Sequence, residues 1–142
     1  MRLILAAALT AMALPVLADG VTTYATEDSF EDAAFAVETA IVGRGLVIDY
    51  VSHVGEMLAR TKDDVGGTVD LFDEADVFLF CSSTVSRSVM EQDLMNIAHC
   101  PYGIFVTHKG DDVMIGFRNM PDGPMQEVQT LLDDIAREAA GQ

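Results

Sequence analysis

Basic residues are scarce in this sequence. Eight Lys and Arg stand against 23 Asp and Glu, for a formal charge of −15 at pH 7. A chain this acidic repels nucleic acid and anionic lipid. A basic partner, a cation or plain solubility remain as reasons for the charge. Cysteine is almost absent, with only Cys81 and Cys100. No Cys-x-x-Cys or His-x-x-His spacing occurs, and the lack of Cys-x-x-Cys-His excludes covalent c-type haem. A Gly-x-Ser-x-Gly frame, a phosphate loop and a dinucleotide fingerprint are all missing. The acidic groups Asp63-Asp64, Asp70, Asp73-Glu74-Asp76, Asp111-Asp112 and Asp133-Asp134 lack calcium-loop spacing, which makes them a solvated surface. There is no internal repeat, low-complexity tract or linker, so one domain is expected.

What is present begins with Met1-Arg2, an apolar run from Leu3 to Leu17, and Ala18-Asp19-Gly20. A positive start, an apolar stretch and small residues before a cut are the build of a signal peptide. The run is shorter than the ~20 residues a spanning helix needs. Residues 1–18 are therefore expected to be a signal peptide and 19–142 the mature domain, periplasmic or secreted. Cleavage would remove Arg2 and no acid, which makes the charge one unit more negative. No cysteine follows the cut region, so a lipoprotein anchor is not expected.

Val21 to Ala25 is β-branched and aromatic and predicts a strand. Asp28 with Glu31 has the form of a capping box, and Phe30, Ala34, Val37 and Ile41 follow at helical spacing to a stop at Gly43 and Gly45. Leu46 to Val51 reads as a second strand. Val54, Met57, Leu58 and Thr61 read as a short helix, and Val77 to Phe80 as a central strand. Ser82 to Thr84 can cap another helix, with Val85, Val89, Met90 and Met95 on its apolar side, ended by Cys100-Pro101. Tyr102 to His108 and Val113 to Phe117 alternate around Lys109-Gly110-Asp111-Asp112, which predicts a hairpin. After Asp122-Gly123-Pro124, the residues Met125, Val128, Leu132, Ile135 and Ala139 form the buried stripe of a last helix. The expected class is α+β. A mainly antiparallel sheet of about five strands carries two long amphipathic helices on one face, plus short helical inserts.

Three segments carry a family resemblance: His53-Val54-Gly55-Glu56-Met57-Leu58-Ala59-Arg60-Thr61, Phe80-Cys81-Ser82-Ser83 and Cys100-Pro101-Tyr102. In this order they resemble an exported, two-cysteine branch of the DUF302 family, over about residues 20–140. The resemblance implies a β-α-β(4)-α arrangement called TBP-like, and no established activity or catalytic residue. Asp93-Leu94 departs from the Asp-Pro expected in this branch.

Cys81 ends one predicted strand and Cys100 precedes another. If these strands are antiparallel neighbours, a disulfide in an oxidising compartment would close residues 82–99 onto the sheet. A redox-active pair is the alternative. His99-Cys100 with Met90 and Met95 is the densest group of soft donors, suited to Cu(I). Oxidised cysteines cannot ligate as thiolates, however, and the methionines also serve as core filler. No metal, cofactor or catalytic residue is assigned. On the hairpin, Tyr102, Ile104, Val106 and His108 share one side and Phe105 the other, so both sheet faces carry apolar residues. A face that the two long helices leave uncovered would be an interface or a ligand groove, unless the inserts cover it. Tyr50, His53, Tyr102 and His108 are the residues expected at such a ligand or interface site. These features point to a non-enzymatic domain that binds a small ligand or a protein partner, and a homodimer fits as well. The alternative is a thiol-disulfide or metal-handling accessory protein of a respiratory or sulfur-oxidation system.

Overall fold

Tyr102, Ile104 and Val106 alternate along the chain with Gly103, Phe105 and Thr107, and successive strand residues point to opposite faces of a sheet. The computed structural model describes residues 16–18 and 20–142. Its strands are β1 (Val16–Ala18), β2 (Val21–Thr26), β3 (Val47–Ser52), β4 (Glu74–Cys81), β5 (Tyr102–Lys109) and β6 (Asp112–Arg118). Its helices are α1 (Phe30–Gly43), α2 (Val54–Thr61), α3 (Ser83–Gln92) and α4 (Gln126–Ala139), with a 3-10 helix at Leu94–His99. The strands form one sheet in the order β1-β2-β6-β5-β4-β3, with every pair antiparallel. This is the expected α+β architecture, with the three-residue β1 added at one edge. The expected signal peptide lies outside the described residues except for Val16–Ala18, whose backbone pairs with Val21–Thr23.

One face of the sheet is closed by α1 and α4. Phe78, Phe80, Tyr102, Ile104, Val106, Ile115 and Phe117 pack there in a single core with Val37 and Ile41 of α1 and Val128, Leu132 and Ile135 of α4. The five residues expected on the last helical stripe, Met125 through Ala139, are all buried. Hydrophobic burial of this kind dominates folding, at roughly 25 cal/mol per Å² of apolar surface.

Several local readings shift. The N-cap of α1 is Ser29, not Asp28: its hydroxyl accepts from the Asp32 amide and donates to the Asp32 carboxylate at 2.9 Å. Both residue types cap well, and Asp28 instead takes a hydrogen bond from Thr26. Gly45, at φ 73°, follows the end of α1 in the left-handed conformation expected of a helix stop. In α2 the buried residue is Gly55, while Met57 is exposed. A β-carbon at Gly55 would stand 2.5 Å from the Ala75 nitrogen, so glycine is what lets α2 lie on the backbone of β4. β4 starts at Glu74 rather than Val77, because its polar first residues pair with β5. The helix after Ser82 ends at Gln92, where Asp93 turns extended and caps the 3-10 helix through the Met95 amide. Met95 is consequently exposed and outside the core.

Candidate functional site

Among the described residues no long helix lies on the second face of the sheet. The register places Val77, Leu79, Gly103, Phe105, Gly116 and Arg118 on this side, since their strand neighbours point into the core. A groove of about 450 Å³ runs over it. Its floor is Gly103 with Val77, Leu79 and Phe105. The end of the 3-10 helix and the following turn, Ala98, His99 and Pro101, close one side. Val21, Arg118 and Met120 border the other. This volume falls within the roughly 300–1,000 Å³ of small-ligand sites, which pair apolar walls with a few polar groups.

Glycine makes the groove possible. At Gly103 a β-carbon would touch Leu79 Cδ2 at 3.4 Å and Val77 Cγ1 at 3.5 Å, so any larger side chain would fill the space between them. Glycine inside a strand commonly marks such a close approach. The polar lining groups are His99 and Arg118.

The four residues expected at the site do not come together. Tyr102 borders the groove, but it is only 1% exposed, and its hydroxyl meets Ser86 Oγ at 2.9 Å among the covering helices. Burial holds the Tyr102 phenol above its usual pKa. Its position in β5 puts its side chain in the core, so the open-face role belongs to Phe105. Tyr50, 63% exposed, lies on edge strand β3 opposite Leu79 and outside the groove. His53 precedes α2 and meets Asp76 at 2.8 Å. That hydrogen bond, then the Asp76 charge, raises the His53 pKa. His108 lies near the far end of β5, with Nδ1 3.2 Å from Glu74 and Nε2 2.9 Å from the Gly110 carbonyl. Its pKa is raised by the Glu74 bond first and the Gly110 carbonyl second.

Cys81 and Cys100 meet at one end of the β4–β5 pair, where Phe80 stands opposite Tyr102. Both thiols are free and half-buried. Desolvation, followed by the neighbouring Cys100 side chain and its charge, pushes the Cys81 thiol up to about 12. Of the soft-donor candidates, His99 lines the groove, Met90 packs partly against the core, and Met95 is 69% exposed. Among the described residues no group of three or more His, Cys, Asp or Glu is placed to hold a metal ion. No described helix is long and apolar enough to cross a membrane.

The structure is similar to the crystal structure of an uncharacterized conserved DUF302 protein from Bacillus stearothermophilus. The TM-score is 0.63 at 16% sequence identity, over 87% of this chain and 95% of that one. The fold is that of a DUF302 protein. No protein-family model and no curated protein matches the chain. Relative to a β-α-β(4)-α order, β1, α2, α3 and the 3-10 helix are additional segments. The 3-10 addition supplies one wall of the groove.

Sequence reasoning missed Val77, Leu79, Gly103 and Arg118 as lining residues. The available signal was glycine at alternate, otherwise apolar strand positions, Gly103 and Gly116, flanking Phe105 across the hairpin.

Proposed function

We propose that this chain is an exported, non-enzymatic binding domain that takes a small ligand in the groove on the sheet face opposite α1 and α4. The observation that carries this reading is the groove itself. It is a concave apolar surface of about 450 Å³ with the polar side chains of His99 and Arg118 at its border. The apolar run before Asp19 supports export. In that compartment Cys81 and Cys100 would be joined as a structural disulfide, which their mutual contact supports. The raised thiol pKa of Cys81 weighs against a redox role, because the thiolate is the reactive species.

Fluorescence with Nile red, a neutral apolar dye, tests the reading. Dye bound in the groove emits more strongly and at shorter wavelength, and Gly103→Leu, which fills the floor, abolishes the change. An unchanged emission with the native chain, or equal binding by the Gly103→Leu variant, contradicts it.

A further inference from the structure

Arg118 stands at the groove without a carboxylate. Arg44, Lys62, Arg87, Lys109 and Arg137 each pair with an acidic side chain. The Arg118 guanidinium has no ion pair or hydrogen bond among the described residues, although the chain carries 23 acids against eight bases. Arg60 shares that condition, but it lies on α2, outside the groove. None of the described lining residues is acidic, and half-buried His99, also without a side-chain partner among the described residues, offers a second polar contact. Among the described residues the groove is thus apolar along its floor, cationic at one border and free of acidic side chains.

We infer that the groove takes a small amphipathic anion, an apolar tail ending in a carboxylate. The tail lies on Val77, Leu79 and Phe105, and the carboxylate meets Arg118. A guanidinium fork matches a carboxylate with two parallel hydrogen bonds. The net negative charge of the chain opposes the approach of any anion. At physiological ionic strength that repulsion is screened beyond about 8 Å, so the contact with Arg118 decides. This inference rests on the groove reading above and adds the chemistry of the occupant.

The test is displacement of Nile red from the full chain, as recovered from the expressing cells, by octanoate, 1-octanol and octylammonium. Octanoate is expected to displace the dye at about tenfold lower concentration than 1-octanol, the ratio typical of a hydrogen bond to a charged group. Octylammonium is expected to be the weakest. Arg118→Gln, a change at an exposed strand end, should remove the advantage of octanoate and leave 1-octanol unchanged. Equal displacement by octanoate and 1-octanol, or an advantage that survives Arg118→Gln, overturns the anion inference and leaves the groove reading intact. Failure of Nile red itself to bind overturns both. A dimer that excludes the dye in light scattering and fluorescence would put a second copy in the groove, and would also overturn the inference.

Discussion

The Phe105 ring lies against Gly116 on the facing strand. A β-carbon at Gly116 would stand 2.5 Å from Phe105 Cζ and 2.7 Å from the Thr22 carbonyl oxygen. The ring occupies the space a side chain would take, and this fixes the shape of the groove floor. Gly116→Ala is expected to destabilise the fold by roughly 1–3 kcal/mol, the usual cost of overpacking. Denaturant unfolding measures this. Phe105→Ala in the same chain should recover only part of the loss, because the Thr22 carbonyl remains. An unchanged unfolding midpoint for Gly116→Ala would show that the contact is loose.

A disulfide between Cys81 and Cys100 would close a loop of about 20 residues, which the chain-entropy model values at roughly 3 kcal/mol. If the chain is exported as proposed, the recovered protein is expected to be two hydrogens lighter than its reduced form by mass spectrometry. The double Cys→Ser variant should lose stability of that order. After reduction, the raised pKa of Cys81 predicts slow alkylation at pH 8. Finding both thiols free in the natively exported protein would remove the disulfide.

The His53–Asp76 pair sets a pH dependence with a definite sign. Asp76 raises the folded pKa of His53 above the ordinary histidine value of 6.5. The pair's contribution is therefore complete below about pH 6.5 and is lost as pH rises through the higher folded value. His53 should titrate above 6.5 by NMR, and Asp76→Asn should bring its midpoint down. A midpoint that does not move in that variant would contradict the assignment.

Ser29, rather than Asp28, should carry the capping energy of α1. Ser29→Ala is expected to cost about 1 kcal/mol in thermal or denaturant unfolding, and Asp28→Ala clearly less. The reverse order would restore Asp28 as the cap.

These cases also mark what a reader of the sequence can and cannot see. The α4 stripe was legible because five apolar residues at helical spacing admit one buried face, and all five are buried. The hairpin was legible from Gly110, which takes φ 63° at its turn. The cap of α1 slipped by one residue because Asp28 and Ser29 are equally good candidates in isolation. In α2 the side chains misled: Gly55 makes the contact by backbone approach, which carries no apolar signal. The groove was half legible. Alternation in β5 revealed a second apolar face, but the choice of Tyr102 and His108 followed the wrong side of that alternation. Arg118 was invisible as a site residue because its importance comes from the partner it lacks in three dimensions.

The account depends most on the groove opposite α1 and α4 being the place where a ligand binds. Amide NMR during titration with 1-octanol, a neutral probe, tests it most directly. The groove account predicts shifts concentrated at Val77, Leu79, Gly103, Phe105 and Arg118, with α1 and α4 unmoved. Shifts centred on Tyr50, His53 or His108, or no saturable shifts anywhere, would contradict it.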